Sequence, residues 1–327
     1  MSELGDVTAI IPNWNRADLL EKLLKQLAAQ TYPIHRTLVM DNGSTDNSRS
    51  VAANASVEFV EMGSNTGFAP AVNRGIQLAK TPWIAILNND VIPRPDWLLE
   101  LVKAATSPET WFACGKLLSA GDATMLDGTF DAICRGGTAW RCGQQRKDGP
   151  FWSESRTIQF APLTAVLFKR EVFDRTGMLD ERFESYLEDV DLGIRCAAAR
   201  LHGVYAPTAI ATHIGSATLG AWHTATVRRI ARNQTFILLK YFKGGPLLAM
   251  LVAQLLWWFV AIRHGAGMAW LAGKWEGWRE SHLFEPVYRW EQVRSPIEAS
   301  ERELHELQKQ TGFDNYWRWY FALTGGM

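Results

Sequence analysis

The sequence predicts an α/β fold with a mainly parallel central sheet, followed by a helical C-terminal extension. Three observations carry that prediction. Short apolar runs alternate with helical segments, the first of them leucine-spaced, through residues 7–90, the pattern of buried strands joined by crossover helices. Asn and Asp side chains gather after each of the first four apolar runs. Beyond residue 243 the alternation stops, and an apolar and then a charged helical segment take over.

The elements follow in order. "VTAIIP" (7–12) reads as a short strand ended by proline. "ADLLEKLLKQLAAQT" (17–31) carries Leu19, Leu20, Leu23, Leu24 and Leu27 at helical spacing. "RTLVMD" (36–41) is a second strand, and "STDNSRSVAANA" (44–55) opens on a cap residue and reads as a helix. "VEFVEM" (57–62) is a third strand, "GFAPAVNRGIQLAK" (67–80) a helix, and "PWIAILNND" (82–90) returns to strand. Residues 119–160, rich in Gly, Arg and polar side chains, read as a long, partly ordered lobe. Residues 160–177 return to strand and helix, and 180–203 run from the densest group of carboxylates into a helix ending near Gly203. Residues 204–215 hold one or two short strands and His213. The domains expected are 1–243 and a helical, Trp-rich 244–327.

Composition excludes some functions. The 34 basic residues balance the 34 acidic ones in 327, so bulk charge offers nothing to nucleic acid. The four cysteines form no C-x-x-C pair, which fits free thiols in a reducing compartment. The start "MSELGDVTAIIP" has acids where a leader would have bases, so the chain reads as cytoplasmic. Neither G-x-G-x-x-G after the first strand nor G-x-x-x-x-G-K-[ST] is present, which argues against a dinucleotide fingerprint and a P-loop.

The polar clusters sit where open α/β sheets bind ligands, outside the carboxyl ends of strands. They are Asn13 and Asn15, then Asp41, Asn42 and Ser44, then Asn65 and Gly67, then Asn88, Asn89 and Asp90. Each alone is also a plausible turn. Four on one edge point to a shared functional edge. "LEDVDLGIR" offers Glu188, Asp189 and Asp191. Crowded carboxylates raise one another's proton affinity, as a general base near neutrality needs. The same acids also suit a helix N-terminus, and both roles can coexist. Arg195, four residues after Asp191, is placed for a helical ion pair.

The runs "IIPNWNR", "DNGSTD", "NTGFAPAVNRGI", "ILNND", "YLEDVDLGIR" and "ATHIGSA" occur in the order seen in family 2 glycosyltransferases. Over roughly residues 6–243, up to "RNQTFILLKYF" (232–242), the chain most resembles the bacterial rhamnosyltransferase-like group that builds cell-surface glycans. That resemblance implies a GT-A fold, a dTDP- or UDP-type sugar donor, a divalent cation (Mg²⁺ or Mn²⁺) and inversion at the anomeric carbon. It implies that Asp41 bonds the base and that Pro12, Asn13 and Asn15 wrap base and ribose. It puts Asn65, Gly67, Asn73 and Arg74 near the nucleotide, although Gly67 also suits a turn and Asn73 a backbone bond. It makes Asp90 the metal ligand ending an Asp-x-Asp-type motif, with Asn89 between. The first position is Asn88 rather than Asp. One negative charge is missing, so the donor's diphosphate would hold much of the metal. It makes His213 a metal or phosphate contact, where a lone histidine would read as a core residue bonded to backbone. It makes Asp189 the base, supported by Glu188 or Asp191. It implies an acceptor that is a glycan or a lipid-linked sugar. A processive synthase is disfavoured, because Gln-x-x-Arg-Trp and several long apolar spans are missing. A non-catalytic glycan- or nucleotide-binding or scaffold protein is the alternative.

In the extension, "PLLAMLVAQLLWWFVAI" (246–262) contains one polar side chain, Gln254. Basic residues flank it and nine of the 15 tryptophans lie beyond residue 220, a composition that suits a membrane interface. Peripheral contact at the inner face of the cell membrane is one reading. A core or homo-oligomer contact is a second, and a span at the lower margin of length a third. "SPIEASERELHELQKQTG" (295–312) reads as a capped, charged helix.

Overall fold

A computed structural model describes residues 5–215 and 222–325. The first four residues of the chain's start and the last two of the ATHIGSA run, Ser216 and Ala217, lie outside the described residues. The elements are β1 (Val7–Asn13), α1 (Ala17–Ala28), β2 (Arg36–Asp41), α2 (Ser48–Asn54), β3 (Glu58–Glu61), α3 (Phe68–Leu78), β4 (Trp83–Leu87), β5 (Val91–Pro93) and α4 (Trp97–Ala104). Then come β6 (Thr110–Ser119), β7 (Leu126–Gly128), β8 (Asp131–Ile133), β9 (Ala139–Arg141), β10 (Arg156–Ile158), β11 (Ala165–Lys169), α5 (Glu171–Thr176), α6 (Glu188–Ala198) and β12 (His202–His213). The remaining helices are α7 (Thr224–Tyr241), α8 (Leu247–Arg263), α9 (Gly267–Arg279), α10 (Trp290–Thr311) and α11 (Asn315–Thr324).

The chain divides into two compact units, Met1–Phe130 with Gly143–Gly215, and Asp131–Cys142 with Ser216–Met327. The division differs from a cut at residue 243. Helix α7 packs with α9, and the β8–β9 hairpin packs with α10, so both belong to the second unit.

The first unit holds a 10-stranded sheet with the path β10-β12-β6-β11-β4-β1-β2-β3. Strands β3, β2, β1 and β4 are parallel neighbours. β11 runs antiparallel between β4 and β6, and β12 is again parallel to β6. Most strands on the path therefore share one direction, and their carboxyl ends form one edge. The core is aliphatic. Leu20, Leu23, Leu24 and Leu27 of α1 pack with Val7, Ala9 and Ile11 of β1 and Val39 of β2, as the leucine spacing requires.

Residues 119–160 are more ordered than their composition suggests. They supply β7, β8, β9 and β10, with Leu126, Phe130, Ile133 and Trp152 buried. Where one or two short strands are expected over 204–215, there is a single 12-residue strand, β12. The charged helix expected from 295 begins at Trp290 and carries Pro296 inside it.

Candidate active site

The strand-end clusters of the first unit form a connected hydrogen-bond network. Asn13, at the end of β1, donates from Nδ2 to Asp41 Oδ1 at 3.1 Å and to Ser48 Oγ at 2.9 Å. Its Oδ1 accepts from Asn89 Nδ2 at 2.9 Å. Asp41, at the end of β2, also accepts from the Ser44 hydroxyl at 2.5 Å and the Ser44 amide at 2.8 Å. The parallel register that sets Asn13 beside Asp41 is the cause. Asn15, at φ 50°, accepts from the Thr45 amide at 2.7 Å. Asp46 of the same loop accepts from the amides of Ala17 and Ser48, at 2.8 and 3.0 Å, where α1 and α2 begin. Asp41 and Asn13 are thus buried and engaged with protein groups rather than presented bare to a ligand.

The next cluster shapes backbone. Asn65 Oδ1 accepts from the Gly67 amide, and Asn42 Nδ2 donates to the Gly67 carbonyl. Gly67 has φ 95°, and a Cβ there would stand 3.0 Å from the Glu184 carbonyl oxygen, so glycine is required by both conformation and contact. Asn73 is buried in α3. Its amide donates to the Leu179 carbonyl and Glu181 and accepts from the Leu179 amide, which brackets α3 to the loop before α6. Arg74 is exposed on the same helix, and Pro12 is half-buried in β1.

The third group centres on His213, the last residue of β12. Pairing of β12 with β5 sets His213 opposite Val91, and the Ile214 amide donates to the Asp90 carbonyl at 3.0 Å. His213 Nε2 consequently lies 3.2 Å from Asp90 Oδ1. Its Nδ1 lies 2.7 Å from Asp127 Oδ2. Burial pushes the imidazole's pKa down, but the hydrogen bond to Asp127 and the carboxylate of Asp90 beside it outweigh that and hold the pKa up at about 9. His213 is therefore a charged bridge between two carboxylates when no cation competes. The 3.2 Å contact is an ion pair. Asp90 Oδ1 and Asn88 Oδ1 are both buried without a hydrogen-bond partner among the described residues. Two such oxygens at a strand end suit a hard cation. Among the described residues no group of three or more His, Cys, Asp or Glu side chains is arranged to hold a metal by itself.

Asp127 was not singled out by sequence. It sits in a three-residue strand, where β7 slips one register against β6 between Leu117 and Leu118. Such bulges re-aim a side chain, here toward His213. No periodic signal marks so short a strand; the only hint in the sequence is an acid before a glycine.

The carboxylates of α6 differ in burial and partners. Asp191 is fully buried, and its Oδ2 accepts from Arg195 at 2.8 and 3.1 Å. Arg195 also donates to the carbonyls of Thr176 and Gly177. That ion pair anchors α6 to the end of α5. Asp189 is only half-buried and accepts from the Val190 amide at 2.8 Å. Glu188 is buried beside it in the sequence. The loop leading into this turn holds Glu184, Tyr186 and Leu187 at φ 59°, 74° and 66°. Three non-glycine residues in left-handed conformations store strain of about 1–3 kcal/mol each, a cost usually met at functional sites. A cleft lined by Leu24, His35, Arg36, Val57 and Glu58 lies at the opposite, amino-terminal edge of β2 and β3, away from all these groups.

The family model described as Glycosyl transferase family 2 matches residues 8–177. The N-acetylglucosaminyl-diphospho-decaprenol L-rhamnosyltransferase of Mycobacterium tuberculosis is 29% identical over 224 residues, covering 59% of this chain and 71% of that protein. The O-antigen biosynthesis protein RfbC of Myxococcus xanthus is 32% identical over 208 residues, covering 61% of this chain but only 16% of that protein. Among solved structures, a mannosyltransferase of Pyrobaculum calidifontis in complex with GDP-Man and Mn²⁺ superposes with a TM-score of 0.54 at 16% identity, over 97% of this chain and 86% of that one. GalNAc-T7 with UDP, GalNAc and Mn²⁺ gives a TM-score of 0.64 at 13% identity, over 96% and 59%. At such identities these two show the GT-A-like fold alone.

Proposed function

This chain belongs to glycosyl transferase family 2, and on that premise we propose that it is an inverting transferase moving rhamnose from a dTDP- or UDP-linked donor. The acceptor is a glycan or lipid-linked sugar in cell-surface polysaccharide assembly, met in peripheral contact with the inner face of the cell membrane. One observation carries the reading. At the end of β4, Asp90 Oδ1 and Asn88 Oδ1 are buried without hydrogen-bond partners, and His213 stands 3.2 Å from Asp90.

Those residues fit a divalent cation, Mg²⁺ or Mn²⁺. Asp90 and His213 would hold it, with further ligands from the donor's diphosphate and water. Such a cation, when bound, neutralises the diphosphate as it leaves. Asp127 holds the far nitrogen of the imidazole and so fixes the ring's orientation. Asp189, at the strained entry to α6, takes the proton of the acceptor hydroxyl. As that oxygen bonds the anomeric carbon, the bond from that carbon to the diphosphate breaks, and this single displacement inverts the centre. The rhamnosyltransferase among the relatives supports the choice of sugar.

A second reading, a non-catalytic nucleotide- or glycan-binding scaffold, is favoured by one fact. Asn13 and Asp41 are already bonded within the protein. Nucleoside diphosphate release from dTDP-rhamnose and a UDP-sugar panel, with Mg²⁺, Mn²⁺ or EDTA, separates the two. Slow metal-dependent release that falls about 10³-fold in Asp90→Ala is expected. Donor binding by thermal shift without any release would establish the scaffold.

A further inference from the structure

Helix α8 presents Leu248, Leu251, Leu255, Phe259 and Ile262 to solvent, each at least 47% exposed. Their spacing of three or four residues puts them on one face. Ala249, Ala253 and Ala261 are buried on the other, where α8 meets α11 and Gln254 donates to the Gly136 carbonyl. Helix α9 repeats the arrangement. Met268, Leu271, Trp275 and Trp278 are exposed at 78, 39, 58 and 62%, while Trp270, Gly273 and Gly277 are buried. Two adjacent helices that expose a row of large apolar side chains while burying mostly small ones, Trp270 apart, depart from the ordinary pattern, and patches of this kind mark interaction sites.

Charge decides what covers them. From Lys243 to Trp275 the chain has no Asp or Glu. Lys243 and Arg263 are exposed around α8, and Arg279 ends α9. The first acid, Glu276, is paired with Arg228. Trp275 and Trp278 stack with centroids 5.1 Å apart on the exposed side. Leucine and tryptophan on a stretch without acids from Lys243 to Trp275, edged by arginine, suit an anionic lipid headgroup layer. A crossing helix is excluded for α8. Its 17 residues reach about 25 Å at 1.5 Å each, against a hydrocarbon core of about 30 Å, and one side is already packed on protein. No helix among the described residues is long and apolar enough to cross a membrane.

We infer that the exposed faces of α8 and α9 are an in-plane docking surface for an anionic bilayer. This deepens, and rests on, the membrane contact in the proposed function. The test uses the full chain and sedimentation with phosphatidylcholine vesicles, with and without phosphatidylglycerol. Wild type should bind the anionic vesicles, more weakly as salt rises. The double variant Leu255→Gln/Phe259→Gln and the pair Trp275→Gln/Trp278→Gln should each lower the partition coefficient roughly a hundredfold, at about tenfold per side chain withdrawn from lipid. Arg263→Gln/Arg279→Gln should lose the preference for anionic over neutral vesicles. Donor hydrolysis, followed in parallel, should be unchanged in all three, because these residues lie outside the proposed active site. Wild type that stays in the supernatant with anionic vesicles at low salt overturns the inference, whatever its hydrolysis. A concentration-dependent dimer in sedimentation velocity that Leu255→Gln/Phe259→Gln converts to monomer, without vesicle binding, gives the face to a second copy of the chain. Vesicle binding without hydrolysis leaves this inference standing and removes the catalytic reading.

Discussion

In the first unit, the polar side chains at the strand ends are held by one another. Asn13 is bonded to Asp41, Ser48 and Asn89, and Asp191 to Arg195. In the second unit several large apolar side chains of α8 and α9 have no such cover: Leu255, Phe259 and Trp278 are exposed. One region builds a rigid polar site over an aliphatic core. The other leaves apolar surface turned outward. The contrast teaches that side-chain chemistry does not set what a position tolerates; what the side chain is packed or bonded against does. Substitution should therefore be costly at small, polar positions of the first unit and nearly free of folding cost at large apolar positions of the second.

The largest effect tests the chemistry of that polar site. Asp189→Asn should lower kcat by roughly 10²–10⁴ while donor affinity stays near wild type, as a lost general base requires. Steady-state kinetics beside donor titration separates the two, and an unchanged kcat would return α6's first acid turn to a capping role.

Asp191→Asn, two residues along the same helix, should instead act on the fold. It removes the partner of a buried guanidinium and should cost about 3–5 kcal/mol of stability. Denaturant unfolding measures it. Wild-type stability with lost turnover would exchange the roles of the two aspartates.

A smaller effect belongs to Asp127. Asp127→Asn keeps the shape of the side chain but removes the carboxylate that orients His213. Mn²⁺ affinity, read by calorimetry or electron paramagnetic resonance, should weaken about 10–100-fold. An unaltered affinity would leave Asp127 a purely structural contact.

The smallest effect closes the comparison from the other side. Leu255→Gln in α8 should change unfolding free energy by less than about 0.5 kcal/mol, despite exchanging an apolar side chain for a polar one. A loss of several kcal/mol would mean that the face is covered by protein in solution.

Much of this was legible in the residues. The strands at 36–41 and 83–87 and the leucine face of α1 follow from local period and turn chemistry, which neighbouring residues suffice to express. So do the polar strand ends, because a parallel sheet places all its carboxyl ends on one edge. The membership of α7 and of residues 131–142 in the second unit was not legible, because it depends on which surfaces meet rather than on either segment's pattern. Within "EDVD", the four-residue spacing pointed to the Asp191–Arg195 pair, but how deeply each acid is buried was hidden. Four letters offer three carboxylates of similar chemistry, and only the position of Arg195 against Thr176 and Gly177 shows that Asp191 is held inside. Asp127 belongs to the same class. Eighty-six residues separate it from His213, and it reaches the imidazole only because β7 slips against β6 beside the end of β12. Sequence alone determined which chemical groups stand at the strand ends. Tertiary structure decided which of them are engaged and which remain available, because burial and pairing are properties of distance in space, which the order of residues does not contain.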